Sequence, residues 1–417
     1  MPPMPRSPAS APGPADPLPV LWLCGPPGVG KTTAAWEVRS RLAREGAAVA
    51  FVDIDQLGGL VPDPAADPGR HLLQADNLGA VLAGFRAAGA RCAVVSGVLD
   101  PARGAPVERL GPVALTVCLL RAGRDTLERR FLGRGGAAAL LPRVLHEADA
   151  LDAAGIADAH VDTDDLPPSE VARLVLEHTD RPASVAQPAL ENSDRPASAT
   201  RPTPEHTDRP APAPPRPGLP SAAPSPHASP GGPPVLWLCG ATGTGKSTVG
   251  FALHLRAWQA GRVSGYVDLD QIGMVHPAPA DDPGGHRLKA GNLARVYRNL
   301  RAAGAELVTV TGPAEDRAAI EAYTSALPGV EITVCRLHAG PGALAERILL
   351  RGRGGGWPQP GDPLRSRPDD ELLHTAAEAS AQAEALDRAA LGDLRTTTDG
   401  RTPEQIAEEI ATRTGRP

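Results

Sequence analysis

Several residue types and segments are scarce in this chain of 417 residues. Aromatic residues make up 3% of it, there are five cysteines, and lysine supplies only three of the 42 basic residues. So few aromatic side chains argue against a groove that stacks nucleobases, and a net charge of −6 gives no bulk attraction to nucleic acid. No apolar run approaches the ~20 residues of a membrane helix. These absences argue against nucleic-acid-binding and membrane proteins.

Two of the three lysines occupy the same place in two copies of one motif. The segments 25–32 and 240–247 both fit the phosphate-binding loop G-x-x-x-x-G-K-[ST], and each lies between a short apolar run and a helix-compatible stretch. In this strand–loop–helix arrangement, backbone N–H groups and a helix N-terminus hold phosphates. The sequence therefore predicts two nucleoside triphosphate sites. Their residues are Gly25, Pro26, Pro27, Gly28, Val29, Gly30, Lys31, Thr32 and Thr33, and Gly240, Ala241, Thr242, Gly243, Thr244, Gly245, Lys246, Ser247 and Thr248.

The chain contains a long internal repeat. A shift of 215 residues places Gly25 on Gly240 and Asp53 on Asp268, and no gap is needed as far as Gly97. A period this long indicates duplication of a whole domain rather than a solenoid. We predict an α/β fold with two tandem P-loop NTPase domains, each a mainly parallel sheet flanked by helices. The predicted domain boundaries are 18–178 and 233–417.

Between the two copies the composition changes. Residues 179–232 are rich in Pro, Ala and Ser, and Asp-Arg-Pro-Ala recurs at 180–183, 194–197 and 208–211. Such a segment buries too little apolar surface to offset the entropy cost of ordering it, so we predict a disordered Pro-rich linker. Residues 1–17 are predicted to be a disordered tail without a signal peptide. The cysteines form no metal-binding pattern, and we expect buried thiols in a cytoplasmic protein.

A pair of aspartates follows the second strand of each copy. The pairs are Asp53 with Asp55, and Asp268 with Asp270. Residues two apart on a strand point to the same face, and the carboxyl ends of parallel strands form the ligand crevice of such a sheet. We expect these carboxylates to hold Mg²⁺ through water or to take a proton from an attacking hydroxyl.

The acid that commonly ends the next apolar strand in P-loop NTPases is missing. Ser96 and Thr311 stand in its place, followed by Asp100 and Glu315. A hydroxyl can bond a metal-bound water, but it supplies no charge. The missing acid argues against AAA+ machines, and the absence of Leu-Ser-Gly-Gly-Gln argues against ABC transporter ATPases.

Arginine-rich segments after the fourth strand are candidates for a lid. Arg130 and Arg134, like Arg347 and Arg351, are four residues apart and share one helix face. Arginines that close over a transferring phosphoryl group stabilise its charge, and flanking glycines let the segment swing. A solvated basic helix end is the alternative.

Each half resembles a P-loop small-molecule kinase of the nucleoside-monophosphate-kinase-like group, which includes adenylylsulfate, gluconate and shikimate kinases. The resemblance rests on the phosphate loop, the acid after the second strand, the arginine-rich segment and the endings at 162–164 and 397–399. It implies ATP phosphates on Lys31 and Lys246. It also implies Mg²⁺ on Thr32 and Ser247, and one aspartate of each pair at the acceptor or acting as base. Gly separates the aspartates of adenylylsulfate and gluconate kinases, and this chain departs from that pattern.

The region between the second and third strands would face the acceptor in such kinases. Its shared polar positions are His71, Asn77, His286 and Asn292. They either contact the acceptor or cap and pack a helix. Gln74 corresponds to Lys289 and Asp76 to Gly291, which indicates different acceptors or the loss of one acceptor.

The sequence thus predicts an ATP-dependent phosphotransferase that acts with Mg²⁺ on a small metabolite or antibiotic. A nucleotide-binding regulatory or scaffold protein is the main alternative, because the usual strand-end acid is missing and the acceptor regions diverge. A nucleic-acid end kinase is disfavoured by the scarcity of aromatic residues. The acceptor and the oligomeric state are left open.

Overall fold

The computed structural model describes residues 16–179, 231–355 and 362–416, so the predicted tail and linker lie almost entirely outside the described residues. The elements of the first half (16–179) are β1 Leu18–Cys24, α1 Lys31–Arg44, β2 Val49–Asp53, β3 Gly59–Val61, α2 His71–Ala87, β4 Cys92–Ser96, α3 Val107–Leu110, β5 Val113–Arg121, α4 Arg124–Gly133, α5 Leu141–Ala154, β6 Ala159–Asp162 and α6 Pro168–His178. Those of the second half (231–416) are β7 Val235–Cys239, α7 Lys246–Gln259, β8 Ser264–Asp268, β9 Val275–His276, α8 His286–Ala302, β10 Leu307–Thr311, α9 Arg317–Ala326, β11 Ile332–His338, α10 Pro341–Gly352, α11 Asp369–Arg388, β12 Leu394–Thr397 and α12 Pro403–Thr414.

Two six-stranded sheets form the framework, in the orders β6-β5-β1-β4-β2-β9 and β12-β11-β7-β10-β8-β3. In each sheet, five strands are parallel and come from one half. Strands β2, β4, β7, β8 and β10 are buried along their whole length, because helices cover both faces of the sheet. The predicted α/β fold with two mainly parallel sheets flanked by helices is confirmed.

The sixth strand of each sheet comes from the other half of the chain. Strand β3 pairs antiparallel with β8, with Leu60 opposite Gly265, and β9 pairs antiparallel with β2, with Val275 opposite Ala50. The backbone N–H of Phe51 also donates to the Met274 carbonyl at 2.9 Å. Each exchanged strand covers an edge that would otherwise present unpaired backbone groups. The repeat alone did not indicate this reciprocal exchange.

Helices α2 and α8 extend the contact between the halves. The Asn299 side chain donates to Asn77 Oδ1 across this contact at 3.0 Å. A Cβ atom on Gly84 would lie 1.8 Å from Asn292 Oδ1, so only glycine allows the helices to approach this closely. Buried residues of both halves, including Leu78 and Val296, belong to one hydrophobic core. The two halves therefore share a core as well as their sheet edges.

Two expectations from composition can be compared with this fold. All five cysteines are buried and free, as predicted, and burial raises the pKa of the Cys24 and Cys92 thiols to about 12. Across the described part of the chain, every helix is too short or too polar to cross a membrane.

Candidate functional site

The first phosphate loop joins β1 to α1 and places its lysine inside the protein. Gly30, with φ of 102°, precedes the helix in the left-handed conformation, which suits glycine. Lys31 is 8% exposed, and its Nζ donates to the carbonyls of Gly25 at 2.8 Å and Pro26 at 3.1 Å. Burial lowers the pKa of Lys31, and the nearby carboxylate of Asp55 opposes that shift. The loop is thus a concave turn of backbone with one ammonium at its centre.

The second loop repeats this geometry between β7 and α7. Gly245 has φ of 90°, and Lys246 Nζ donates to the carbonyls of Gly240 at 2.9 Å and Ala241 at 3.0 Å. Burial lowers the pKa of Lys246, with Asp270 opposing. Both predicted loops therefore adopt the strand–loop–helix geometry that can hold phosphates.

The residue after each lysine is tied to the first aspartate of each pair. Thr32 Oγ1 donates to Asp53 Oδ2 at 2.9 Å, and Ser247 Oγ donates to Asp268 Oδ2 at 2.9 Å. Burial, reinforced by Asp55, raises the pKa of Asp53 to about 6. Burial likewise raises the pKa of Asp268. Each half thus places one carboxylate directly beside the hydroxyl expected to bind Mg²⁺.

The expectation that both aspartates of a pair project from one strand face is wrong. Strand β2 ends at Asp53, and the next residues form a single 3₁₀ turn. Asp53 caps this turn by accepting a hydrogen bond from the Asp55 N–H at 3.1 Å, and Asp268 accepts from Asp270 N–H at 3.0 Å. The first aspartate therefore faces the phosphate loop, and the second lies in an exposed turn.

Asp53 and Asp268 stand next to the residues that replace the missing strand-end acid. In the sheet, Asp53 is paired in register with Ser96, and Asp268 with Thr311. The negative charge is thus supplied from the neighbouring strand. A hydroxyl and a carboxylate are hard oxygen ligands that suit Mg²⁺, which commonly completes its shell with water and nucleotide phosphates. Thr32 with Asp53, and Ser247 with Asp268, are therefore the donor sets that would hold a Mg²⁺ ion.

The first arginine of each predicted lid pair is bonded to the phosphate loop and to a threonine after the last strand, and not placed to close over a phosphoryl group. Arg130 donates to Thr163 Oγ1 at 2.9 Å, to the Thr163 carbonyl at 2.8 Å and to the Val29 carbonyl at 3.3 Å. Arg347 makes the equivalent bonds to Thr398 and to the Gly243 carbonyl. Because backbone carbonyls and a threonine accept most of their hydrogen bonds, these arginines link the phosphate loop to the segment after the last strand.

The second arginine of each pair lies nearer the lysine. Arg134 caps the end of α4, its guanidinium is 5.6 Å from the Phe131 ring centre, and its charge opposes protonation of Lys31. Arg351 has the same influence on Lys246, but its Nε donates to Asp362 at 2.5 Å. Arg134 therefore remains the candidate for contacting a transferring phosphoryl group.

A pocket lies between the turn after β2, the start of α2 and the segment after β4, in the region predicted to face the acceptor. It measures about 30 Å³, and its lining includes Trp22, Ile54, His71, Gln74 and Asp100. Gln74 donates to the Ile54 carbonyl at 3.3 Å, and Trp22 Nε1 donates to the Gly97 carbonyl at 3.4 Å. Two of the expected acceptor-side positions, His71 and Gln74, thus share one pocket.

Glu147, on α5, is a site residue that the sequence reasoning missed. Its Oε1 atom is buried and has no hydrogen-bond partner within the described ranges. Burial raises the pKa of Glu147, whereas the charges of Lys31 and His71 lower it and that of Asp55 raises it. The carboxylate therefore interacts electrostatically with the phosphate loop and with the acceptor pocket. Only the duplication offers a signal. A shift of 235 residues aligns the endings of the two halves without a gap and places Glu147 on Gln382.

The acceptor side of the second half is filled by its own side chains. Tyr323 on α9 is 1% exposed, with its ring centre 4.6 Å from that of Trp237. His286 lies 3.2 Å from the Tyr323 hydroxyl and 2.5 Å from Glu315 Oε2. Lys289 Nζ pairs with Asp270 Oδ1 at 3.0 Å. The histidine and the second aspartate of this half are thus engaged with other side chains of the protein.

The shared asparagines belong to the core rather than to the acceptor pocket. Asn77 Nδ2 donates to the Leu57 carbonyl at 3.2 Å, and Asn292 Nδ2 donates to the Ile272 carbonyl at 2.7 Å. Both residues are fully buried where α2 meets α8. The sequence left two interpretations of these positions, contact with the acceptor or capping and packing of a helix. The asparagines pack.

Fold and site together define a duplicated P-loop α/β protein with two phosphate loops of the same geometry. Among solved structures, the chain is similar to a tunicamycin resistance protein of Deinococcus radiodurans, at 22% identity and a TM-score of 0.30 over 44% of this chain and 97% of that one. It is also similar to an APS kinase of Mycobacterium tuberculosis in complex with AMPPNP and APS, at 19% identity and a TM-score of 0.28 over 44% and 98%. A third match is a shikimate kinase of Aquifex aeolicus, at 16% identity and a TM-score of 0.25 over 43% and 96%.

Each of these matches spans nearly all of the other protein and less than half of this chain. No protein-family model and no curated protein sequence matches the chain.

Proposed function

We propose that this protein is an ATP-dependent phosphotransferase whose first half transfers a phosphoryl group to a hydroxyl of a small molecule. The observation that carries the proposal is the convergence of three elements at one place. These are the buried Lys31 in its loop, the Thr32–Asp53 pair, and Glu147, whose charge interacts with Lys31 and with His71 of the acceptor pocket. The Oε1 atom of Glu147 has no hydrogen-bond partner within the described ranges. A site that only held nucleotide would not need the third element.

The proposed reaction is an in-line displacement. The acceptor oxygen attacks the γ-phosphorus, a new O–P bond forms, and the bond to the β–γ bridging oxygen breaks, so that ADP leaves with the electron pair. Mg²⁺, when bound, neutralises charge on the phosphates. Lys31 and Arg134 supply further positive charge beside the phosphates, and Arg130 keeps the loop in place.

The proton of the acceptor hydroxyl passes to Glu147 in this proposal. Asp53 is engaged with Thr32 and the Asp55 N–H, whereas Glu147 Oε1 has no partner within the described part of the chain. Burial raises the pKa of Glu147, which brings a carboxylate closer to the neutral range that suits a general base. Asp55, in the exposed turn, is the other carboxylate near Lys31.

The second half binds nucleotide but does not transfer in this proposal. Gln382 replaces the base, the Lys289–Asp270 ion pair engages the second aspartate, and Tyr323 occupies the acceptor side. Its phosphate loop nevertheless repeats every feature of the first. In this proposal, nucleotide at the second loop has a regulatory role. That role is part of the alternative predicted from the sequence, a nucleotide-binding regulatory protein.

The size of the first pocket restricts the acceptor. A space of about 30 Å³ takes a hydroxyl or hydroxymethyl group. The remainder of the acceptor would extend out of the pocket past His71 and Arg103, which line it. We infer a small polyhydroxylated molecule with one accessible primary or secondary hydroxyl.

The test is acceptor-dependent release of ADP from Mg-ATP, with fractionated small-molecule extracts as the acceptor source. Lys31→Ala should abolish stimulated release, by at least ~100-fold, because the phosphates lose the ammonium. Lys246→Ala should leave the chemical step in place. Equal loss in both variants would contradict the division of roles. Tight ATP binding by the wild-type chain without stimulated release from any fraction would contradict the proposed transferase activity.

A further inference from the structure

A large pocket lies between the two halves, away from both phosphate loops. It measures about 830 Å³ and is bounded by α2, α3 and the first residues of β1 and β5, and by α8 on the other side. The phosphate loop of the first half leaves the opposite end of β1, seven residues away. At ~3.3 Å per residue, the two places are about 20 Å apart. The pocket is therefore separate from the nucleotide site.

The lining of this pocket is strongly basic. Four arginines, Arg86, Arg109, Arg295 and Arg298, lie around it, with Asp76 as the single acid in the described lining. Arg109 donates two hydrogen bonds to Asp76, at 2.8 and 2.9 Å, which neutralises that pair. Arg295 and Arg298 add two further positive charges to the lining.

In the part of the chain that the structure describes, the hydrogen bonds of the two α8 arginines are long and stay inside their own helix. Arg295 Nη1 lies 3.5 Å from Asn292 Oδ1, and Arg298 Nε lies 3.4 Å from the Ala294 carbonyl. Within the described ranges, neither forms an ion pair with a carboxylate. Two guanidinium groups three residues apart on a helix repel each other at close range, so an anion between them would be stabilising.

The space exists because α2 carries small residues on this face. The small lining residues of α2 are Gly79, Ala80, Ala83 and Ala87. In the second half, Tyr297 replaces Leu82 of the repeat, and its hydroxyl donates to the Pro233 carbonyl at 2.7 Å. Pro233 corresponds to Leu18, which lines the pocket in the first half. In the second half, the buried Tyr297 thus fills the region that corresponds to the open pocket of the first half.

We propose that this pocket, which we call the interface pocket, binds a small organic phosphate. Arginine forks recognise phosphate oxygens bidentately, and Leu18, Leu110 and Val113 provide apolar wall for a carbon skeleton. No aromatic side chain is part of the described lining, so the pocket offers no ring for a nucleobase to stack on. A phosphorylated sugar or short aliphatic phosphate fits these surroundings better than a nucleotide.

The position of the interface pocket gives its ligand a route to both nucleotide sites. Helices α2 and α8 both contribute residues to it, and each begins at the histidine on the acceptor side of its own half, His71 or His286. A phosphate held by Arg295 and Arg298 of α8 against the wall formed by α2 would restrict the relative movement of the two helices. The ligand would thus act as an effector, and its binding does not depend on the proposed transferase activity.

Calorimetric titration tests this proposal. The full chain is first saturated with a non-hydrolysable ATP analogue and Mg²⁺, so that the phosphate loops are filled, and is then titrated with fructose 1,6-bisphosphate or 3-phosphoglycerate. We expect binding of at least one probe, with affinity reduced tenfold or more in Arg295→Gln/Arg298→Gln. The control is Arg367→Gln/Arg388→Gln, which removes the same charge from exposed positions.

A second variant separates loss of the pocket from loss of charge. Ala83→Met adds a side chain to the wall of the interface pocket without altering any arginine, and it should also weaken binding of the probe. Circular dichroism and thermal melting confirm that each variant is folded. Absence of binding by both probes, or equal affinity in the wild-type and double-arginine proteins, would overturn the proposal.

Discussion

At the residue scale, Glu147 and Gln382 occupy corresponding places in the two halves, and they differ by one carboxylate. In the first half, the Glu147 carboxylate favours the protonated form of Lys31. In the second half, the carboxylates of Asp268 and Asp270 favour the protonated form of Lys246. A glutamine has nearly the shape of a glutamate but cannot accept a proton. The exchange therefore changes the chemistry of a half while leaving its packing almost the same.

Replacing Glu147 by glutamine should lower acceptor-dependent turnover by about 10²-fold or more, since loss of a general base commonly has an effect of this size. Affinity for ATP should change little, because the loop and the Thr32–Asp53 pair remain. Steady-state kinetics and nucleotide titration measure the two effects. Asp149→Asn, on the exposed face of the same helix, is the control. If Asp55→Asn abolishes turnover while Glu147→Gln does not, Asp55 is the base.

His254 provides a prediction about pH at the boundary between the halves. It is buried on α7 beside the exchanged strand β3, where burial, reinforced by the charge of Arg70, lowers its pKa to about 4. The unfolded chain binds this proton near pH 6.5. Stability from this residue is therefore fully present above pH 6.5 and is lost as the pH falls towards 4.

We expect this histidine to lower the free energy of unfolding by about 2 kcal/mol between pH 7 and pH 5. Urea denaturation at the two pH values measures the change. His254→Gln, which can still bond the Ser264 hydroxyl, should reduce the difference by that amount, and His374→Gln on an exposed helix face should not. An unchanged pH dependence in His254→Gln would refute this assignment.

At the element scale, α2 and α8 connect the halves through a contact that depends on a small residue. Gly84 sits inside α2, where alanine would ordinarily favour the helix by ~1 kcal/mol. The added methyl group would overlap Asn292, which is itself held by the Ile272 carbonyl. Steric overlap in a packed interface outweighs helix propensity here.

Gly84→Ala should destabilise the protein by about 1–3 kcal/mol, the usual cost of overpacking. Thermal and urea unfolding measure this change. Gly133→Ala is a matched control, because Gly133 ends α4 and a Cβ there would contact nothing within 4 Å. That variant should be as stable as the wild type or slightly more stable. Equal stability of both variants would mean that α2 and α8 can separate without cost.

At the scale of the whole molecule, the reciprocal exchange of β3 and β9 makes each half complete the sheet of the other. The backbone bonds of these strands and the α2–α8 contact are all made between the halves. These contacts, and not the covalent connection through the linker, therefore hold the two halves together in the folded protein.

Cleavage of the linker at an inserted protease site near residue 205 should leave the halves associated. We expect the cut protein to elute from a sizing column with the uncut protein and to unfold in one transition, because the halves share one hydrophobic core. The uncut protein carrying the same site is the control. Elution as two smaller species, each with its own unfolding transition, would contradict this expectation.

Much of the local organisation was predictable because it depends on short-range patterns. The glycines and the lysine of each loop, the apolar run before it and the helix after it are adjacent in sequence, so their geometry follows from local chemistry. The repeat then indicated that the pattern occurs twice, and composition alone pointed to buried, free cysteines. The expectation about the aspartate pairs failed because the chain turns at Asp53, which caps its own 3₁₀ turn.

The sequence by itself determined the α/β class, the duplication and the positions of the two phosphate loops, because each is encoded in residues close together along the chain. Tertiary structure alone decided which half completes which sheet edge, that Arg130 holds the loop at Val29, and that the charge of Glu147 acts on a lysine more than one hundred residues away. These features depend on the direction of packing between distant segments. Spacing and periodicity carry no information about that direction, since it is set by the shape of the assembled core.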